Sequence, residues 1–138
     1  MKVYQSKYNK LPGTSYEELT KAARKIYHNI EKQSKRTPYV KTNKHSHFAG
    51  KKIFLNMFFV HLDQKSRIDR KRRLKYFRAG LDLIKNTKFE PIIKQNPNKD
   101  REVLYRFAGI TADGELFYVQ LKDNKRGNIY LMSVYPPQ

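Results

Sequence analysis

Residues 103–135 read VLYRFAGITADGELFYVQLKDNKRGNIYLMSVY. Three runs rich in aromatic and β-branched residues, at 103–110, 116–122 and 129–135, are separated by Asp113-Gly114 and by Lys125-Arg126-Gly127-Asn128. Short apolar runs punctuated by such turns predict an antiparallel meander with two hairpins. Because strand side chains alternate between faces, Val103, Tyr105 and Phe107 are expected on one side of the first strand, with Leu104, Arg106 and Ala108 on the other. In the second strand Phe117, Val119 and Leu121 oppose Tyr118 and Gln120. In the third, Tyr130, Met132 and Val134 read as the core set and Leu131, Ser133 and Tyr135 as the opposite one.

Upstream of this region the period changes to that of helices. Residues 1–14 are a polar segment with a turn at Pro12-Gly13, and Ser15 precedes Glu18 by three, the reciprocal capping pattern of a helix start. An amphipathic helix is predicted within 15–35, burying Leu19, Ala22, Ala23, Ile26, Tyr27 and Ile30 and exposing Lys21, Arg24, Lys25, His28 and Lys32. Residues 39–52, after Pro38, are rich in Lys, Asn, His and Ser without a clear period and read as a basic loop. Ile53-Phe54-Leu55 suits a short strand, and Asn56 can open a helix over 57–64. A further helix over 66–85 would align Leu74, Phe77, Leu81 and Ile84, leaving Arg67, Arg70, Lys71, Arg72, Arg73, Lys75 and Arg78 on its other faces. Helices first and strands afterwards predict one α+β domain over 1–138. Its N-terminal helices would pack on one face of a C-terminal antiparallel sheet, made of the three-stranded meander and a fourth strand.

Charge narrows the partners. Thirty Lys and Arg against twelve Asp and Glu give a formal net charge of +18, a self-repulsion that an anionic partner relieves. Nucleic acid fits best, since every neutralised phosphate releases a counterion. An anionic membrane fits less well, because the chain has no long amphipathic helix with Trp or Phe on its apolar face. The absence of cysteine excludes disulfides, a thiol nucleophile and thiolate metal sites. With a longest apolar run of about ten residues and no apolar signal core after Met1, a cytoplasmic protein without a membrane span is expected, or one delivered by a route that leaves no N-terminal signal.

His61 is the leading acid or base. It closes the most apolar stretch of the chain, and Lys65 follows one helical turn later, where an ammonium lowers the pKa of the imidazole. The alternative is a partly buried histidine that only satisfies its hydrogen bonds. Arg106, Tyr118, Gln120, Ser133 and Tyr135 share the sheet face that helices are not expected to cover, and offer a guanidinium fork, neutral donors and flat rings to a phosphodiester strand. Arg67, Arg70, Arg72 and Arg73 add a cationic helix face. His45-Ser46-His47 would place two imidazoles on one side of a strand, but neither Cys nor a nearby carboxylate completes a metal set. Few acids argue against a two-metal nuclease, and no cofactor is implied. What remains is cleavage that needs no metal, for which RNA supplies its own nucleophile in the 2′-hydroxyl. His61, Lys65, Arg106 and Ser133 are the candidate catalytic set, with Arg67, Arg70, Arg72, Arg73, Tyr118, Gln120 and Tyr135 as candidate nucleic-acid contacts.

From Ile53 onward the chain resembles a known superfamily. Phe59-Val60-His61-Leu62 leading into Lys65, then Asp69-Arg70 and Arg72-Arg73-Leu74-Lys75-Tyr76-Phe77, then Arg106-Phe107-Ala108-Gly109, Phe117-Tyr118-Val119-Gln120 and Leu131-Met132-Ser133-Val134-Tyr135-Pro136 are similar to phage and mobile-element members of the barnase, EndoU, colicin and RelE-like nucleases. The resemblance implies a nuclease-like core over 53–138 with a four-stranded antiparallel sheet, and metal-independent endoribonuclease activity, often that of a toxin neutralised by an acidic antitoxin or immunity protein. It maps the helix histidine to His61, the basic residues after it to Lys65 and Arg67, the strand arginine to Arg106 and the last-strand hydroxyl to Ser133. The glutamate base of the barnase type has no counterpart, since Glu102 and Glu115 both fall at strand ends. A non-catalytic RNA- or DNA-binding module of a phage or mobile element is the alternative expectation.

Overall fold

The computed structural model describes residues 1–95, 102–124 and 126–138. In chain order its elements are β1 (Val3–Gln5), α1 (Tyr16–Gln33), β2 (Tyr39–Lys41), β3 (Lys52–Phe54), α2 (Asn56–Asp63), α3 (Arg67–Leu74), α4 (Phe77–Asn86), β4 (Ile92–Gln95), β5 (Val103–Ile110), β6 (Leu116–Asp123) and β7 (Ile129–Tyr135). The protein is α+β, with helices mostly N-terminal and a C-terminal β5-β6-β7 meander.

The meander follows the alternation of its sequence, with one displacement. Phe117, Val119 and Leu121 of β6 are fully buried on the core face, opposite Gly109, Phe107 and Tyr105 of β5. On β7, Val134 pairs with Val119 and Ser133 with Gln120, but Leu121 pairs with Leu131, so Met132 is an extra residue in a β-bulge. Ile129, Leu131 and Val134 of β7 therefore join the contiguous core; of the set that strict alternation predicts, Val134 keeps its place, Met132 is buried outside that cluster and Tyr130 is half-buried. Strand side chains repeat every two residues, so one inserted residue moves everything on its far side to the other face.

The sheet also extends beyond the expected four antiparallel strands. Its order is β1-β5-β6-β7-β3-β2, with β4 beside β5. β1 runs parallel to β5 and β3 parallel to β7, so the seven strands among the described residues form a mixed sheet rather than an antiparallel one. β1, β2 and β4 are three or four residues long, too short for alternation to stand out from loop sequence. β2 and the start of β3 lie within the stretch expected as a basic loop. Between them, residues 43–50 form turns that lay Phe48 on the core face, 4.9 Å from the Tyr105 ring and 6.2 Å from Phe107.

The helix expected over 66–85 is two helices. α3 is capped by Ser66, whose Oγ accepts the Asp69 N–H, and it ends at Lys75, whose carbonyl accepts the Leu11 N–H at 2.8 Å. The Tyr76 ring stacks on Phe117 at 5.7 Å and its hydroxyl donates to Glu115 at 2.9 Å. Tertiary contacts thus turn the chain where the sequence has neither Gly nor Pro. After the turn, α4 lies directly on the core face. A Cβ added to Gly80 would come within 2.9 Å of Val134 Cγ2, and one at Gly109 within 2.8 Å of Leu83 Cδ1, so both glycines serve close approach of helix and sheet.

α2 and α3 lie against β7, while α1 packs on α3, α4 and β2. Its Ser15 cap accepts the Glu18 N–H at 3.1 Å, and Leu19 and Ala23 are buried. One contiguous apolar cluster joins all four helices to the sheet. Burying a large apolar side chain contributes about 1.5–3 kcal/mol, and the fully buried Phe58, Phe77 and Phe117 tie α2, α4 and β6 together. Among the described residues, no helix is long and apolar enough to cross a membrane.

Candidate active site at the β7 edge

Of the β7 residues, Ile129 and Tyr130 pair with β3. The rest of that edge, residues 131–135, meets α2 and α3 instead of another strand. The Met132 bulge falls there, and Met132, Phe58 and Leu62 form the apolar wall of a small pocket whose polar wall is His61, Lys65, Arg73 and Ser133. Its volume is about 10 Å³, room for roughly one oxygen atom. His61 is brought to Ser133 around the sheet edge, because α2 runs alongside β7 rather than across the outer face.

Cations surround the imidazole. Burial lowers the His61 pKa below its usual 6.5, and Lys65, Lys122 and Arg73 lower it further, so the ring is neutral at neutral pH and its free nitrogen can accept a proton. Lys122 projects from β6 on the same face as Gln120 and pairs with Glu102. Arg73 is largely buried. Its Nη1 donates to Ser133 Oγ, and its Nε lies 3.2 Å from Asp69 Oδ2, near enough for charge attraction yet out of line for a hydrogen bond.

From this pocket an alternating ladder crosses the outer face of the meander. The Arg73 guanidinium lies 5.3 Å from the Tyr135 ring centre, Tyr135 lies 5.6 Å from Tyr118, and Tyr118 lies 5.5 Å from the Arg106 guanidinium. Cross-strand pairing sets these positions: Ser133 faces Gln120, which faces Arg106. Arg106 is therefore two strands from Ser133, about 10 Å of sheet, and does not line the pocket with His61, Lys65 and Ser133.

The other cations singled out in the sequence have local partners. Arg67 pairs with Glu17 and lies 4.6 Å over the Tyr16 ring. Arg70 donates from Nε to the Lys65 carbonyl at 2.9 Å and from Nη2 to the Asp63 carbonyl at 2.7 Å, closing the end of α2. Exposed Arg72 reaches the Pro137 carbonyl at 3.3 Å. Lys122 escaped the sequence reading although it stands two residues after Gln120, where alternation already places it on the outer face.

The remaining histidines are elsewhere. His28 meets Glu31 at 3.1 Å on the exposed side of α1. His45 and His47 lie in turns rather than on a strand, and His47 Nδ1 is 2.6 Å from Glu90 while its ring meets Phe48 and Tyr105. Among the described residues, no group of three His, Cys, Asp or Glu could hold a metal ion.

No family model matches this chain, nor does any curated protein or solved structure. The chemistry of the edge therefore rests on its own geometry. A neutral imidazole, several fixed cations and a hydroxyl converge beside an open aromatic face, a combination that suits a phosphodiester.

Proposed function

We propose that the β7 edge is the active site of a metal-independent endoribonuclease and that the outer face of the meander holds single-stranded RNA beside it. The observation that carries this is the convergence of His61, Lys65, Arg73 and Ser133 around one pocket at the end of an arginine and tyrosine ladder. One phosphate oxygen enters the pocket, and the neighbouring nucleotides lie on Tyr135 and Tyr118, with Arg106 and Gln120 on the next phosphate and sugar.

In the reaction His61 takes the proton of the 2′-hydroxyl, the 2′-oxygen bonds to phosphorus, and the bond from phosphorus to the 5′-oxygen breaks. The departing oxygen receives a proton from water or the Lys65 ammonium, leaving a 2′,3′-cyclic phosphate and a 5′-hydroxyl. Arg73 and Lys65 stabilise the extra negative charge of the phosphorane, and Ser133, by accepting from Arg73, fixes the guanidinium in position. The likeness of residues 53–138 to the barnase, EndoU, colicin and RelE-like nucleases supports the same assignment. On that likeness the protein is a toxin of a phage or mobile element, and an acidic antitoxin or immunity protein covers its basic face.

The test is incubation of the purified protein with mRNA, tRNA and ribosomes in the presence of a chelator, followed by end-group analysis. Cleavage with cyclic phosphate ends, lost in His61→Ala with the fold retained, is the expected result. A wild-type protein inert on every RNA, or a His61→Ala variant of full activity, would overturn the assignment. Inertness combined with tight, salt-sensitive RNA binding would identify a non-catalytic binding module.

A further inference from the structure

A second concavity shares no residue with the edge pocket. α1, α4, β2 and the segment after β1 enclose a cleft of about 500 Å³, within the range of small-molecule sites. Ile26, Ile30, Val40 and Leu81 supply apolar surface. Three amides, Asn29, Gln33 and Asn86, and three cations, Lys7, Arg78 and Lys85, also line it.

Its one carboxylate is already engaged. Asp82 is 3% exposed, and its Oδ2 accepts the Ser6 hydroxyl at 2.8 Å and the Lys7 N–H at 3.2 Å, while Oδ1 accepts the Asn86 amide at 2.8 Å. Arg78 differs. Its guanidinium lies 4.9 Å over the Tyr8 ring, its buried Nε has no hydrogen-bond partner, and it makes no ion pair among the described residues. A buried donor on a permanent cation, beside two lysines and a satisfied carboxylate, leaves the cleft short of an anion.

We propose that this cleft binds a free mononucleotide, independently of the edge site. The phosphate sits on Arg78, Lys7 and Lys85, where the planar fork offers paired donors. The base lies on the apolar wall, and the exposed Asn29 and Gln33 amides, each both donor and acceptor, match the mixed edge of a nucleobase, while Asn86, whose NH2 donates to Asp82, offers only its oxygen. A fatty or purely aromatic acid would satisfy the cations but make no use of the Asn29 and Gln33 amides. Inorganic phosphate would fill only a small part of the volume.

The experiment is calorimetric titration of the full chain with each of the four common ribonucleoside monophosphates, and with inorganic phosphate as the control. At least one nucleotide should bind with a Kd below about 1 mM and roughly tenfold or more tighter than phosphate. Arg78→Gln should weaken it about tenfold, and the exposed Lys85→Gln and Gln33→Ala about threefold or more. Arg73→Gln should leave it unchanged. If Arg78→Gln does not fold, Lys85→Gln and Gln33→Ala decide. No nucleotide binding tighter than phosphate, or binding lost in Arg73→Gln and retained in the cleft variants, would overturn the proposal.

Discussion

Arg70 and Arg73 stand one helical turn apart in the most basic run of the chain, and their surroundings set them to different tasks. Arg70 spends donors on the carbonyls of Asp63 and Lys65 and thereby seals the join between α2 and α3. Arg73 turns toward β7, where Ser133 and the Tyr135 ring hold it beside His61. A guanidinium carries five donors, so what it offers a ligand depends on how many the fold has already used. The contrast teaches that a high density of positive charge divides into cations whose donors backbone carbonyls consume and cations set beside a pocket.

Substitution separates the two. The largest effect is expected for Arg73→Gln, which should lower the single-turnover rate of RNA cleavage by about 10²–10³-fold, the scale of losing one donor aimed at developing charge. Arg70→Gln should instead leave cleavage near wild type and reduce stability by about 1.5–3 kcal/mol in urea unfolding, since two carbonyls lose a charged donor. If Arg70→Gln abolished activity without loss of stability, the division between the two residues would fail.

A smaller effect concerns pH. Lys65→Gln removes one of the cations that hold the His61 pKa down, so the acidic limb of the rate profile should move to higher pH. The sign for stability follows from the same depression. As pH falls below the ordinary histidine value of 6.5, the unfolded chain takes up the His61 proton before the folded one does, and stability drops until the folded imidazole protonates as well. His61→Ala should flatten that slope in urea titrations between pH 7 and about 5. The least effect is expected for Arg67→Ala, because its pairing with Glu17 is exposed on both sides and screened by solvent; its urea midpoint should match wild type.

The meander was legible because the buried set Phe117, Val119 and Leu121 alternates without exception and glycines mark the turns. The first helix was legible from Ser15 and an apolar stripe that matches the observed buried positions Leu19 and Ala23. Alternation was blind to the Met132 bulge, a single-residue event, and helical periodicity was blind to the break at Tyr76, which is set by Phe117, Glu115 and Leu11 from distant parts of the chain. His61, Lys65 and Ser133 could be named singly, but their meeting depends on β7 lying beside α2, a pairing that no local pattern encodes. Arg106 shows the converse. It shares a face with Ser133 as alternation predicts, yet sharing a face left it two strands away.

The parallel pairing of β3 with β7 also governs timing. Ile53 lies beside Ile129, a partner that follows a long stretch of chain, and contacts so distant in sequence form slowly because a large loop must close first. α2 follows β3 directly, so His61 is delivered to the edge of β7 only once that loop has closed. The pocket therefore cannot exist in a chain whose two ends have not yet met, although the basic run of α3 is present in full before then.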